Sequence, residues 1–187
     1  MNLSIIIPVF NEENFLERLF YDLKKHFNSN DAEIIFVNDG STDNSKKLIE
    51  HFIKDNSKNF KSNLINFDFN KGKGKAVREG INLSKGKYVL LQDADLELDL
   101  EDSKELYDII RNNSDIKCIF GSRYLSGKLK KNNYFFNQLV AKLNSIIFNL
   151  FFSQSLSDIH CGLKILHRDV IKKLKLDIND FGLEIDI

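Results

Sequence analysis

Five short apolar runs alternate with segments whose apolar residues recur at helical spacing, and this order limits the fold more than any other feature. The runs are Leu3 to Ile7, Glu33 to Val37, Leu64 to Phe67, Tyr88 to Gln92 and Ile116 to Phe120. Each is too short for a helix and too continuously apolar for a strand with one wet face, so each predicts a buried strand. Between them, Phe15, Leu16, Leu19, Phe20, Leu23 and Phe27 fall three or four residues apart. Leu48, Ile49, Phe52 and Ile53 do the same, as do Ala76, Val77 and Ile81, then Leu106, Ile109 and Ile110. That spacing predicts helices with one apolar face. The alternation implies an α/β fold: a Rossmann-like, doubly wound, mostly parallel sheet with helices on both faces. Pro8 is expected to end the first strand's pairing. Asn11 is placed to cap the first helix, and Ser41 or Thr42 the second. The third helix is expected to end at Gly86.

With 187 residues, the chain suits one α/β domain over residues 1–187 and is short for two. It stops at Glu184–Ile187 with no cap or polar tail, which reads as a fragment cut at its C-terminal side. Lys plus Arg and Asp plus Glu both number 27, so no whole-surface attraction to nucleic acid is expected. Cys118 and Cys161 make no disulfide framework and point to a reducing compartment, or simply to no need for a staple. Met1 to Pro8 lacks a basic leader and reads as a strand, not a signal peptide. No run of eighteen apolar residues is present to span a bilayer.

In sheets of this kind ligands sit beyond the carboxyl ends of the strands. The polar clusters fall there: Asn11–Glu12, Asn38–Asp39–Gly40 and Asp93–Ala94–Asp95. Asp93 and Asp95 follow a buried strand directly, which delivers two carboxylates to one edge. Hard cations such as Mg²⁺ or Mn²⁺ want such oxygens and leave positions for substrate phosphates. Glu97 could add a third oxygen. Asp-x-Asp is also a common turn sequence, so the reading rests on its place after a strand and on the other motifs. Asp39 can accept hydrogen bonds from a nucleobase, Phe10 can line a base pocket and Glu12 can hold a ribose hydroxyl or cap a helix. Asn70–Lys75 is basic and glycine-rich before a helix and can approach phosphate, although it lacks P-loop spacing.

Together, Ser4–Glu13, Val37–Asp43, Lys71–Gly80 and Asp93–Asp95 resemble the family-2 glycosyltransferases, and within them the dolichyl-phosphate (polyprenyl-phosphate) mannose and glucose synthases. The resemblance implies a GT-A fold, an inverting hexose transfer and a Mg²⁺ or Mn²⁺ ion. It also implies a nucleotide-diphosphate sugar donor, UDP-glucose or GDP-mannose, and a polyprenyl-phosphate acceptor. It makes Pro8, Phe10, Glu12, Val37, Asp39, Lys75, Ala94 and Asp158 substrate-binding positions. Asp93, Asp95 and Arg123 become catalytic, with Asp93, Asp95 and Glu97 on the metal. Asp158, in Ser157–Lys164, is implied to shape the acceptor side. His160 and Cys161 are adjacent but lack further ligands, so they read as a surface or packed histidine and a buried cysteine. Lys128, Lys130 and Lys131 stand where relatives often carry Arg, and no Glu-Asp base motif is present. A lipid phosphate, already anionic, would need no such base. A saccharide acceptor in cell-envelope polysaccharide synthesis, or a non-catalytic nucleotide-sugar-binding fragment, remain alternative readings.

Tyr134 to Phe152 carries an apolar stripe of Phe136, Leu139, Val140, Leu143, Ile146, Ile147, Leu150 and Phe151, with Asn137, Gln138, Lys142, Asn144 and Ser145 opposite. Periodicity alone favours docking this stripe on the core. The resemblance implies instead a peripheral place on the cytoplasmic face of a membrane.

Overall fold

The computed structural model describes residues 2–27, 31–123, 135–174, 176 and 179, with backbone alone at 135–139 and 141. Six strands form one sheet: β1 (Leu3–Val9), β2 (Ala32–Asn38), β3 (Lys61–Asn66), β4 (Tyr88–Leu91), β5 (Cys118–Phe120) and β6 (Lys164–His167). Their spatial order is β3-β2-β1-β4-β6-β5. The first four pair in parallel, while β6 lies antiparallel between β4 and β5. The mostly parallel sheet is therefore as expected, and β6 is an addition that the apolar runs did not disclose.

Successive side chains of a strand point to opposite faces. Ile5 and Ile7 of β1 join one core with Leu16, Leu19 and Leu23 of α1 (Glu13–His26), Phe52 of α2 (Ser45–Asp55) and Tyr107 of α4 (Leu100–Asn112). Ile6, between them, joins a second core with Ala76 and Val77 of α3 (Lys73–Leu83) and Ile171 of α6 (Arg168–Ile171). Helices thus cover both faces. The third helix stops before Gly86, with Ser84 as its cap.

Pro8 does not end pairing. It sits in register with Val37, and Val9 with Asn38. The N–H and C=O of one residue lie on the same edge of a strand, so Pro8, like Ile6, faces β4. There the last ladder bond is Gln92 N–H to Ile6 O, at 3.0 Å. The missing N–H falls beyond the last β1–β4 pair, Ile6 with Leu91, so no ladder bond of that pairing is lost.

The two loops that lead into α1 and α2 exchange side-chain hydrogen bonds, and those given to α1 serve its first N–H groups. Asn11, with φ of 57°, does not cap α1; its Oδ1 accepts Thr42 N–H at 2.8 Å. In return Asp43 Oδ2 accepts Glu13 N–H at 3.0 Å and Ser45 Oγ accepts Glu12 N–H at 2.9 Å. Ser41 accepts Asn11 N–H, so neither it nor Thr42 caps α2. Orphan N–H groups at a helix start take any well-placed acceptor, and here the neighbouring loop supplies it. Burial alone would raise the Asp43 carboxyl, but hydrogen bonds from Ser45 and Glu13 outweigh it and hold the group below its ordinary value. The ends of β1 and β2 are thereby locked together.

Candidate active site

A cleft of about 540 Å³ opens at the carboxyl ends of β1, β2 and β4. Pro8, Val9, Phe10, Glu12 and Asp39 line one end, and Asp93, Ala94, Asp95 and Glu97 the other. Asn70, Gly72 and Lys73 come in from the loop before α3, and His160 and Gly162 from the segment before β6. Eight of the residues singled out in the sequence therefore share one cavity: Pro8, Phe10, Glu12, Asp39, Asp93, Ala94, Asp95 and Glu97.

At the first end, Phe10 keeps an exposed ring. Asp39 is almost wholly buried. Its Oδ1 accepts Lys71 N–H at 2.7 Å and its Oδ2 accepts Gly72 N–H at 3.0 Å. Asp39 thus ties the glycine-rich loop to β2, and each oxygen keeps a lone pair for another donor. Gly40 is required twice over. Its φ is 69°, and a β-carbon there would collide with the backbone of Phe69 and Asn70.

At the second end, Gln92 braces the carboxylate loop from beneath. Its Nε2 donates to Asp93 O at 3.2 Å and Leu98 O at 3.3 Å, while its Oε1 accepts from Ser103 Oγ at 2.5 Å. This bracing maintains Leu96 at φ 58°, a conformation that costs a non-glycine residue about 1 kcal/mol or more. Asp95 Oδ1 accepts Glu97 N–H at 2.9 Å, so the Asp-x-Asp turn and the cleft position coexist. Asp93 Oδ1 lies 2.7 Å from Lys73 Nζ. A methyl group on Gly162 would collide with Asp93 Oδ2.

The carboxylates feel one another. Glu12 is raised above its ordinary value by burial first, then by repulsion from Asp95, Asp43 and Asp93. An acidic lip of hard oxygens fits a divalent cation whose remaining positions are filled by phosphate. Among the described residues, no three His, Cys, Asp or Glu side chains, Asp93, Asp95 and Glu97 included, converge closely enough to hold a metal ion by themselves.

Four predicted positions lie elsewhere. The side chain of Val37, at the end of β2, packs with Ile6, Ala76 and Val77. Lys75 is not on the cleft; it pairs with Glu79 at 2.5 Å along α3, and Lys73 takes the inward position. Asp158 is fully buried and does not face the cleft. It holds Arg123 by a two-pronged ion pair, Nε to Oδ2 at 2.8 Å and Nη2 to Oδ1 at 3.0 Å. Arg123 is thus fixed at the rim, with Nη1 3.5 Å from Glu97 Oε2.

His160 was read as a surface or packed residue, yet it lines the cleft, and its Nε2 lies 3.3 Å from Asn144 Nδ2. Its neighbour Cys161 is buried, and burial chiefly pushes its thiol up to about 11. The signal for His160 was the Asp-x-x-x-Gly segment itself, since Gly162 must approach Asp93. Lys128, Lys130 and Lys131 lie outside the described residues.

Residues 4–175 match Glycosyl transferase family 2, and the chain belongs to that family. The dolichyl-phosphate beta-glucosyltransferase of Dictyostelium discoideum is 29% identical over 99% of this chain and 60% of its own length. The protein of the same name from Saccharomyces cerevisiae is 32% identical over 92% of this chain and 56% of its own length. The chain thus spans little more than half of these relatives. Glucosyl-3-phosphoglycerate synthase from Mycobacterium tuberculosis, solved with Mn²⁺, UDP and phosphoglyceric acid, has a TM-score of 0.75 at 16% identity, covering 98% of this chain and 61% of that one. The shared architecture is the GT-A glycosyltransferase fold.

Proposed function

We propose that this chain is the donor-binding, catalytic part of an inverting hexosyltransferase that takes a nucleotide-diphosphate sugar and glycosylates a polyprenyl phosphate. One observation carries the reading: Asp93 and Asp95 share a cleft with Asp39 and Phe10, and Arg123 reaches its rim through Glu97. The names of the two dolichyl-phosphate glucosyltransferases support the acceptor class.

In this reading Phe10 and Asp39 take the nucleobase and Glu12 the ribose. Asp93 and Asp95, with Glu97 beside them, would hold a Mg²⁺ or Mn²⁺ ion together with the donor's phosphates, and that ion would neutralise charge on the departing diphosphate. Arg123 adds a fixed positive charge to that side, oriented by Asp158. The acceptor phosphate oxygen attacks the anomeric carbon from the opposite face. It is anionic near neutral pH, so this chain need not supply a general base.

Helix α5 (Phe135–Phe152) supports a membrane-borne acceptor. Val140, Leu143, Ile146, Ile147, Leu150 and Phe151 are exposed on it. The expectation that this stripe docks on the core is corrected. A contiguous exposed apolar face marks an interaction surface, and a bilayer interface would cover it. Among the described residues, no helix is long and apolar enough to cross a membrane. The peripheral place, on the cytoplasmic face, is part of this proposal.

The test is a panel of nucleotide sugars with Mn²⁺, scored by thermal stabilisation, then by transfer of labelled hexose to polyprenyl phosphate. Asp93→Ala should lower transfer by roughly 10²-fold or more while leaving the melting temperature within a few degrees. Full activity in that variant would remove the carboxylate assignment. Label recovered on an oligosaccharide and never in lipid would overturn the acceptor.

A further inference from the structure

Glu12, Asp93, Asp95 and Glu97 make the cleft strongly negative, yet a nucleotide sugar brings a diphosphate with more negative charge. An anion enters such a site only if a cation is placed to meet it. Besides Arg123 at the rim, Lys73 lines the cleft itself. It is the first residue of α3, and Asp39 fixes its approach by accepting the two preceding loop N–H groups. Its ammonium lies 2.7 Å from Asp93 Oδ1, with its side chain 18% and that of Asp93 23% exposed. Asp93 is thereby clamped, with the ammonium on one oxygen and the Gly162 backbone close to the other.

Two cations of this cleft are held in opposite ways. Arg123 is locked by the fork of Asp158, which a planar guanidinium matches. Lys73 meets Asp93 as a compact point charge on a flexible four-carbon stem, which can swing without breaking a fork. The Asp93 oxygen it covers is one that a divalent cation would also seek. Both cannot occupy it fully.

We propose that Lys73 is the exchangeable counter-ion of the donor site. It neutralises Asp93 while no donor is bound. When a nucleoside diphosphate arrives, Lys73 yields Asp93 and moves onto a diphosphate oxygen, which frees Asp93 for a divalent cation where one is present. This rests on the transferase reading above, and it assigns to Lys73 a binding role that the motif resemblance placed on Lys75.

Calorimetric titration of the purified chain at fixed ionic strength tests it, with UDP, GDP and MnCl₂ as probes. Removing the ammonium in Lys73→Met should weaken diphosphate binding in EDTA roughly ten-fold, since a charge-assisted contact is lost and Asp93 is left unscreened. The same variant, without nucleotide, should bind Mn²⁺ several-fold tighter, because the competitor for Asp93 is gone. Lys73→Arg should keep diphosphate binding within about three-fold of wild type but bind Mn²⁺ more weakly, as a guanidinium fork grips Asp93 harder. Opposite signs for the two probes are something damaged folding does not produce. Unchanged or weaker Mn²⁺ binding in Lys73→Met, or unchanged diphosphate binding in EDTA, overturns the exchange. If Lys73→Met does not fold, Mn²⁺ binding to Lys73→Arg as tight as wild type overturns it instead. Wild-type protein that binds neither diphosphate would bring down the transferase reading and this proposal together.

Discussion

Helices α1 and α5 are both amphipathic in sequence, yet they sit in the molecule with opposite faces inward. In α1 the apolar residues Leu16, Leu19 and Leu23 are fully buried against the sheet. In α5 it is Ser145 that is buried, while Leu150 stands 77% exposed. Among the described residues, α5 makes polar contacts to the segment that follows it. Asn149 Oδ1 accepts Leu156 N–H at 3.0 Å and its Nδ2 donates to Leu156 O at 2.8 Å. Asn144 reaches His160, and Ser145 Oγ accepts Ile159 N–H at 3.4 Å. The difference teaches that one helix is held by the hydrophobic effect and the other is stapled by side-chain amides to the segment that carries Asp158 and His160. Among the described residues, nothing covers the apolar side chains from Val140 to Phe151 that α5 exposes.

This contrast can be broken by substitution. Leu19→Ala in α1 should cost the most stability, about 2–5 kcal/mol, since a buried leucine leaves a cavity. Chemical denaturation measures it, and a loss under 1 kcal/mol would mean that α1 is not packed as described. Asn149→Ala should cost less, about 1–3 kcal/mol, by leaving the N–H and C=O of Leu156 without these partners. Leu150→Ser should change stability by no more than about 0.5 kcal/mol, because the side chain is already in water. It should nonetheless weaken flotation with anionic liposomes, and undiminished flotation would count against a membrane on this face.

The smallest effect belongs to the cleft and is read against pH. Glu12 has a raised folded value, so between its ordinary and raised values the native state holds the proton that the unfolded chain has lost. Stability therefore falls as pH rises through that window. Glu12→Gln removes this penalty. It should raise the melting temperature slightly above the window and not at all below the ordinary glutamate value. An equal shift at every pH would point to packing, not charge.

Much of this was legible along the chain because it depends on near neighbours. Buried runs such as Leu3–Ile7 and the spacing of Leu16, Leu19 and Leu23 specify element type by period alone. Placing Asp39 and Asp93 at strand ends then followed from the parallel order. β6 was not legible. Its four residues include Lys164, buried with its ammonium 5.7 Å from the Phe120 ring centre, a pattern with no strand signature. Nor were the reciprocal hydrogen bonds of the two loops, Glu13 N–H to Asp43 and Thr42 N–H to Asn11, which join residues about thirty positions apart.

What the sequence determined by itself was periodicity: which stretches are strands, which helices have one apolar face, and that three acidic clusters follow strands. What only the tertiary structure decided was direction. Lys73 and Lys75 are two residues apart, roughly 200° around a helix, so one can face the cleft and the other cannot. Asp158 meets Arg123, and α5 turns Ser145 inward while Leu150 faces out. A repeat of 3.6 residues is the same whichever way the helix is rolled, and only the packing of distant segments sets the roll.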